Sequence, residues 1–315
     1  MCEVMNKNVL IIGYGSIGKR HADILTDLGC RVSILSKREI NVKRSFFQIS
    51  DAIKEENPDY IVIANNTVEH YSTLMELKKI GFKGQILIEK PLFHNKMDIP
   101  TDNYNNVYVA YNMRFNPLLQ RLKRELMGQK VISAQAYVGQ YLPQWRPNQD
   151  YRRFYSAHKS EGGGVLRDLS HELDYVNWLL GSWKSVSAIG GQYSDLEIDS
   201  DDVFSLMLEM ENCPIVTIQL NYLDRVAHRN LLINTNQHVF QLDFINKTFQ
   251  KDSEVCSIDI ERNYSYLMEH KAILNGEFDD LCTIMDGSEV LNLIHAAEES
   301  AYSKNKYRVF NEKNM

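Results

Sequence analysis

The chain has 315 residues, of which 44% are hydrophobic and 24% are charged, and its formal net charge is −6. This composition is typical of a folded protein and excludes a disordered one. The mild acidity argues against nonspecific binding to nucleic acid or to an anionic membrane. At roughly 150 residues per domain the length suggests two domains. No apolar run reaches about 18 residues, so we expect no membrane span.

The first residues and the cysteines bear on location. Residues 1–13 run into a strand-like segment without a small-residue cleavage site, so a signal peptide is not expected. The five cysteines are odd in number, widely spaced and without a CxxC pair: Cys2, Cys30, Cys213, Cys256 and Cys282. This pattern predicts reduced, mostly buried thiols in a cytoplasmic protein, with neither a disulfide framework nor a metal site.

Strands and helices alternate in residues 1–117. Short apolar runs predict strands at Asn8–Gly13, Arg31–Leu35, Tyr60–Ala64, Gln85–Ile88 and Val107–Ala110. Helical spacing predicts helices at Ser16–Leu28, Ser50–Asn57 and Glu69–Ile80. Alternation at this spacing predicts an α/β domain with a parallel, doubly wound sheet.

The second predicted domain covers residues 118–315 and has a different pattern. Apolar and polar residues alternate over Ser133–Gly139 and again over Ser185–Phe244. This alternation predicts an antiparallel sheet with one covered face. Helices are predicted at Leu166–Leu180 and at Ser288–Ser303, the latter with one apolar face.

A glycine motif follows the first strand and opens the first helix. Gly13, Gly15 and Gly18 match GxGxxG, with Ser16 and Ile17 between the last two glycines. The first glycine permits a tight turn, the second lets the backbone approach a pyrophosphate, and the third lets helix pack on strand. The helix N-terminus offers free N–H groups to the phosphates. We therefore predict a dinucleotide site on these five residues, the alternative being a tight turn without a ligand.

The end of the second strand bears on the choice of dinucleotide. An NAD site usually has an acid there, about 20 residues past the glycines, to accept from the ribose 2′-hydroxyl. This chain has Ser36, Lys37 and Arg38 instead. A hydroxyl and two cations suit a 2′-phosphate, which favours NADP over NAD. The alternative is two solvated cations with Glu39 as the acid.

Three further segments complete a resemblance. They are Glu89-Lys90-Pro91, then YNMRFNP at Tyr111–Pro117, and GGGVLRDLSHELD at Gly162–Asp174. Together with the glycine motif they resemble the glucose–fructose oxidoreductase, inositol dehydrogenase and rhizopine-catabolism (Gfo/Idh/MocA) family, over residues 9–180. The resemblance implies an N-terminal Rossmann domain. It also implies a C-terminal α/β domain with a large, mostly antiparallel open sheet that often serves oligomerisation.

The resemblance also implies roles for individual residues. Lys90 would reach both the nicotinamide ribose and a substrate hydroxyl, where a cation stabilises a developing alkoxide. Read from the residues alone, it could also be a surface lysine at a turn. Further cofactor contacts are implied for Asn65, Asn66, His70, Glu89, Asn112 and Arg114.

Asp168 and His171 lie in the predicted helix Leu166–Leu180. Helical spacing places Asp168, His171 and Tyr175 on one face and a leucine-rich stripe on another. In the family the matching histidine is often the general base, which suits its near-neutral pKa, and the aspartate binds the substrate or the base. Here one residue fewer separates them. The alternatives are a core or capping histidine and an aspartate that stabilises a helix N-terminus.

An aromatic and arginine-rich loop, Tyr141–Tyr155, precedes the GGG turn. Its aromatic rings suit stacking on a sugar or base, and its arginines suit phosphate or carboxylate. We predict substrate contacts from Trp145, Tyr151, Arg152 and Tyr155, and an anionic or nucleotide-linked sugar as substrate. The alternative is a packed surface loop or a subunit contact.

These observations predict an NAD(P)-dependent oxidoreductase acting on a secondary alcohol or ketone of a sugar-like substrate, with Lys90, His171 and Asp168 as catalytic residues. A homo-oligomer, formed through the C-terminal sheet, is expected. Two alternatives remain. One is a non-catalytic NAD(P)-binding regulator, and the other is a glycoside hydrolase that uses bound NAD for transient oxidation.

Overall fold

The structure, a computed structural model, describes residues 6–99, 104–303 and 308–312. Its contacts divide the chain into two compact units. Among the described residues, the first unit comprises 6–99, 104–115 and 262–288, and the second comprises 116–261, 289–303 and 308–312. The sequence pattern had assigned everything from residue 118 onward to one second domain, whereas the structure returns residues 262–288 to the first unit.

Strands and helices are numbered along the chain. The strands are β1 (Asn8–Ile12), β2 (Arg31–Leu35), β3 (Ser45–Phe46), β4 (Tyr60–Ile63), β5 (Gln85–Ile88), β6 (Val107–Val109), β7 (Val131–Gly139), β8 (Trp183–Gly191), β9 (Val203–Met210), β10 (Ile215–Asn221), β11 (His228–Thr235), β12 (Val239–Asp243), β13 (Thr248–Lys251), β14 (Glu254–Ser257), β15 (Cys282–Thr283) and β16 (Val309–Phe310). The helices are α1 (Ser16–Asp27), α2 (Ile49–Glu56), α3 (His70–Ile80), α4 (Pro117–Glu125), α5 (Val165–Asp168), α6 (His171–Leu180), α7 (Tyr264–Asn275) and α8 (Ile284–Tyr302).

The first unit is built on a seven-stranded sheet in the order β15-β6-β5-β4-β1-β2-β3. Its neighbours pair in parallel, except that β15 runs antiparallel to β6 at one edge. The central strands are buried on both faces, because helices cover each side of a parallel sheet. The predicted doubly wound parallel sheet is thereby confirmed. The edge strand β15 and the helix α7, which contributes Ala272 and Ile273 to the core, have no counterpart in the sequence prediction.

The second unit is built on a nine-stranded sheet in the order β14-β13-β12-β11-β7-β10-β9-β8-β16. Its pairs are antiparallel except for β7 with β10, which are parallel. In β9 the buried Phe204, Leu206 and Leu208 alternate with residues on the opposite face, where Met207 is 59% exposed. The predicted large, mostly antiparallel open sheet is confirmed.

The helix predicted over Leu166–Leu180 is broken in the structure. The chain forms α5 and α6 instead, and the backbone leaves helical geometry at Leu169 (φ −102°, ψ 29°). Asp168 ends one piece and His171 begins the next, while Tyr175 is fully buried. The prediction that these three residues share one polar helix face is therefore wrong, because a helical wheel does not continue across a break.

The cysteines within the described residues are all free thiols. Cys30, Cys213 and Cys282 are buried and Cys256 is partly exposed, whereas Cys2 lies outside the described residues. No helix among residues 6–99, 104–303 and 308–312 is both long enough and apolar enough to cross a membrane.

Candidate functional site

The three glycines of the turn between β1 and α1 are needed for different reasons. Gly13 has φ +100°, and a Cβ there would lie 2.5 Å from the carbonyl oxygen of Ala64. A Cβ on Gly18 would lie 2.1 Å from the carbonyl oxygen of Gly13. At Gly15, by contrast, a Cβ would meet no atom within 4 Å. Internal packing explains the first and third glycines, and open space above the second is what a phosphate-binding turn needs.

A cleft beside this turn collects seven of the fifteen predicted cofactor residues. Ser16 begins α1, whose cap residue Gly15 makes no side-chain capping bond, so the first amides face outward. Ile17 is partly buried and packs against the core of the unit. The residues lining the cleft come from the ends of β1, β2 and β4: Ile12, Gly13, Gly15, Leu35, Ser36, Lys37, Arg38, Ala64, Asn65, Asn66 and Glu69.

The segment after β2 is held in a fixed conformation. Ser36 is buried, its hydroxyl donates to the carbonyl oxygen of Arg38 (2.9 Å) and accepts from the Arg38 amide (3.1 Å). Lys37 pairs with the carboxylate of Glu69, which also accepts from the side-chain amide of Asn65 (3.3 Å). The predicted phosphate-binding segment thus faces a carboxylate that the sequence did not single out.

His70, at the start of α3, is nearly fully buried. Its Nδ1 lies 3.1 Å from the carbonyl oxygen of Leu92 and 3.2 Å from that of Pro91, and its Nε2 lies 3.2 Å from that of Asn65. Burial lowers the pKa of His70, although these carbonyls oppose the shift. The ring therefore ties the loop after β4 to the segment after β5.

The Glu89-Lys90-Pro91 segment follows β5 and contains a cis peptide bond between Lys90 and Pro91. Glu89 is buried, and its Oε1 lies 2.8 Å from Nε2 of His21 while its Oε2 accepts from the Lys90 amide (3.1 Å). Burial alone would raise the pKa of Glu89, but the hydrogen bond from His21 and the charge of Lys90 lower it overall. Lys90 itself is partly exposed. An ionised carboxylate thus fixes the backbone at Lys90.

The partner of Glu89 belongs to a longer buried chain that sequence reasoning missed. Nδ1 of His21 lies 2.8 Å from Nε2 of His270, and Nδ1 of His270 lies 3.0 Å from the hydroxyl of Tyr60. His270 comes from α7 and Tyr60 from β4, far from the glycine motif in sequence. Of these three residues only His21 lies beside a recognised motif, three positions after Gly18. No local signal in the sequence marks His270 or Tyr60.

Asn112 and Arg114 lie in a short 3₁₀ turn after β6, and both are buried. Arg114 donates to the carbonyl oxygen of Leu281 (3.2 Å) and to Asp286 (3.1 Å). These contacts fasten the YNMRFNP segment to the returning residues 262–288 of the same unit.

In the second unit, Asp168 is buried between two tyrosines. Its Oδ2 accepts from the hydroxyl of Tyr222 (2.6 Å), and the hydroxyl of Tyr155 also bonds to this carboxylate. Burial and the nearby carboxylate raise the pKa of both tyrosines well above the ordinary value, so both hydroxyls remain protonated donors. Tyr222 lies at the end of β10 and was not predicted. Trp145 packs edge-on against its ring, with centroids 5.2 Å apart.

The GGG turn brings this cluster together. A Cβ on Gly163 would lie 2.1 Å from the carbonyl oxygen of Tyr155. Gly164 has φ +120°, and a Cβ there would lie 2.4 Å from Asp201 Oδ1. Asp201 accepts from the Leu166 amide (3.1 Å), and burial raises its pKa to about 6. The absence of side chains thus lets the loop and α5 approach closely.

His171 is partly exposed at the first position of α6. The next residue, Glu172, is fully buried and forms a bidentate ion pair with Arg229 (2.7 and 3.2 Å). Tyr175 donates to the same carboxylate (3.3 Å). These contacts fix the first turn of α6 and therefore the backbone that presents His171.

The predicted substrate residues of the aromatic loop Tyr141–Tyr155 lie in two different environments. Tyr155 bonds to Asp168, and the residue as a whole is 37% exposed. Arg152 is half-exposed and pairs with Asp150 (2.9 Å) and Glu197 (3.3 Å), which raise the pKa of Arg152 further. The hydroxyl of Tyr151 accepts from the Glu197 amide (3.2 Å). The charge of Arg152 is thus balanced locally, whereas Tyr155 and Trp145 form one cluster with Asp168 and Tyr222.

Comparison with known proteins finds a matching family model and similar folds. Residues 121–243 match the GFO/IDH/MocA C-terminal domain. Among solved structures, levoglucosan dehydrogenase in complex with NADH and levoglucosan is 17% identical, with TM-score 0.83 and coverage of 98% of this chain and 100% of that one. An oxidoreductase from Thermotoga maritima is 16% identical, with TM-score 0.81 and coverage of 98% and 100%.

A third similar structure is a UDP-N-acetylglucosamine 3-dehydrogenase from Acidithiobacillus ferrooxidans. It is 17% identical, with TM-score 0.75 and coverage of 94% of this chain and 98% of that one. No curated protein sequence matches the chain. The family model thus agrees with the family predicted from the sequence motifs over residues 121–243, and the fold extends over nearly the whole length of these structures.

Proposed function

We propose that this chain, whose residues 121–243 match the GFO/IDH/MocA C-terminal domain, is a nicotinamide-dependent oxidoreductase. It would act on a secondary alcohol or ketone of a sugar-like substrate. The main support is the glycine turn. Close internal packing requires glycine at Gly13 and Gly18, whereas Gly15 faces open space. A pyrophosphate fits there, against the free amides of α1. The similar structures include complexes with NAD and with NADH.

The roles of the chain's own residues follow from their chemistry. The bound cofactor supplies the hydride acceptor or donor. Lys90, its backbone fixed by Glu89, stabilises the negative charge that develops on the substrate oxygen. His171 takes or gives the hydroxyl proton. Asp168 orients the hydroxyl of Tyr155, a partly exposed residue that can contact substrate.

The substrate class is the next part of the proposal. Trp145 and Tyr155 supply aromatic surface that suits a sugar ring. One similar structure is a UDP-N-acetylglucosamine 3-dehydrogenase, which supports a nucleotide-linked or acidic sugar as substrate. Arg146, which lies over the ring of Phe154, supplies a positive charge in the same loop. Arg152 gives this part less support because Asp150 and Glu197 already balance its charge.

Cofactor preference, assembly and location complete the proposal. We propose NADP in preference to NAD, because Ser36 fixes the backbone that presents Arg38 to the cleft. The open face of the second sheet exposes Ile189, Met207 and Ile215, which suits a contact between copies of the chain. The free cysteines are compatible with a cytoplasmic location.

The experiment combines a binding assay with a substrate screen. NADH and NADPH are titrated against the protein by nicotinamide fluorescence, and oxidised and reduced sugars, free and nucleotide-linked, are then followed at the nicotinamide absorbance. Gly15→Ala provides the structural test. The added methyl meets no protein atom and Gly15 has φ −79°, so thermal stability should be unchanged.

Cofactor binding should nevertheless weaken by about tenfold or more in Gly15→Ala, because the backbone could no longer approach the pyrophosphate. Unchanged affinity in this variant would contradict the assigned site. Cofactor binding without turnover of any sugar would favour a non-catalytic binder, and tightly bound cofactor without net redox turnover would favour the hydrolase alternative.

A further inference from the structure

The cleft beside the glycine turn contains an acid in an unexpected place. An NAD site usually has an acid at the end of β2, and this chain has Ser36-Lys37-Arg38 there. The structure brings Glu69 into the same cleft from the 3₁₀ turn Thr67–Glu69 that precedes α3. The acid missing from β2 is thus supplied by the connection after β4.

Glu69 is the better-anchored member of its ion pair. Its carboxylate accepts from the side-chain amide of Asn65 (3.3 Å), and that amide is held in turn by Thr73 (2.9 Å) on α3. The Glu69 side chain is 30% exposed, whereas that of its cationic partner Lys37 is 77% exposed. The negative charge is therefore held in the cleft, and the long lysine side chain is free to reorient around it.

We infer that Glu69 is a specificity-determining residue that limits selection for the 2′-phosphate, so that the cleft accepts both NAD and NADP. This inference rests on the proposed function. A 2′-phosphate must compete with Glu69 for Lys37 and is repelled by the fixed carboxylate. A ribose 2′-hydroxyl can instead donate a hydrogen bond to an acid. Arg38 favours the phosphate and Glu69 opposes it.

The test compares two substitutions that each remove one negative charge. Glu69→Gln keeps the size of the side chain and its acceptor for Asn65. Glu76→Gln removes an exposed charge on the adjoining helix α3, outside the residues that line the cleft. Dissociation constants for NADH and NADPH are measured by nicotinamide fluorescence, at low and at high salt, without any substrate.

Glu69→Gln should raise the preference for NADPH over NADH by about tenfold at low salt, which corresponds to about 1.4 kcal/mol. The gain should shrink at high salt, because the effect is one of charge at a partly exposed site. Glu76→Gln should leave the preference unchanged.

An unchanged or lowered preference in Glu69→Gln, with both cofactors still bound, would overturn this inference alone. An equal shift in Glu76→Gln would also overturn it, because net charge would then explain the result. If the wild-type protein bound neither cofactor, the proposed function would fail and this inference with it.

Discussion

His270 lies in a buried chain of polar groups in the first unit. Glu89, whose pKa is lowered, accepts a hydrogen bond from Nε2–H of His21. Nδ1 of His21 lies 2.8 Å from Nε2 of His270, and Nδ1 of His270 lies 3.0 Å from the hydroxyl of Tyr60. His270 is held as the neutral imidazole in this chain, because burial disfavours its protonated form.

A buried neutral histidine makes stability depend on pH. Burial, followed by repulsion from His21, holds the pKa of His270 well below the ordinary value of 6.5. Because the pKa of His270 is depressed in the folded state, the unfolded chain binds more protons than the folded chain once the pH falls below about 6.5. The free energy of unfolding therefore decreases as the pH falls below that point. Lowering the pH from about 6.5 to about 5 should cost up to roughly 1.6 kcal/mol through this one group.

His270→Gln tests this reasoning, since an amide can both donate and accept but does not titrate. The free energy of unfolding is measured by urea denaturation across this pH range. The stability difference between wild type and variant should shrink from about pH 6.5 to about pH 5, by at most roughly 1.6 kcal/mol. The pKa of His70 is also lowered by burial, but His70 is present in both proteins and cancels in the comparison.

Tyr60→Phe is the matched control. It removes the hydroxyl that is hydrogen-bonded to His270 but leaves the imidazole in place, so the variant should be less stable by about 1–3 kcal/mol at every pH. Its pH dependence should follow that of the wild type. Parallel stability curves for the wild type and His270→Gln would refute the assignment of a buried neutral histidine.

Two further predictions concern binding and catalysis. Arg38→Ala should weaken NADPH binding by about 1.5–3 kcal/mol, the range for a hydrogen bond to a charged group, with a smaller effect on NADH; fluorescence titration checks this, and a wild-type protein that binds NADH more tightly would contradict it. His171→Ala should lower kcat by about 10²–10⁴-fold with cofactor affinity retained, because it removes a general base; steady-state kinetics on the substrate found by screening checks this, and near wild-type kcat across the pH range would move that role to Lys90 or to Tyr155.

The parts of the fold that the sequence predicted well are those determined locally. The strand β1, the glycine turn and the helix α1 follow one another within about 20 residues, and each has its own periodicity or turn residue. The alternation in β9 likewise marks one covered face. The break between α5 and α6 was missed because the leucine spacing continues across it, while the backbone changes direction at Leu169.

The parts that could not be predicted depend on residues far apart in the chain. His21 and His270 are 249 positions apart, and Tyr60 and His270 are 210 apart. Their pairing depends on residues 262–288 returning to the first unit after strand β14 of the second sheet. Neither hydropathy nor a motif signals that return. Tyr222, which donates to Asp168 from the end of β10, is a similar case in the second unit.

The motifs and their supporting residues therefore carry different information. Close backbone packing holds Gly13 and Gly18, and hydrogen bonds of Glu89 hold the Glu89-Lys90-Pro91 segment, so these motifs mark features of the fold. The charge that a cofactor would meet depends instead on Glu69, and the hydrogen bond from His21 lowers the pKa of Glu89. Substitutions at such supporting positions can change cofactor preference or pH dependence while every motif remains intact. Cofactor choice in this chain must accordingly be read from the residues that surround the motifs.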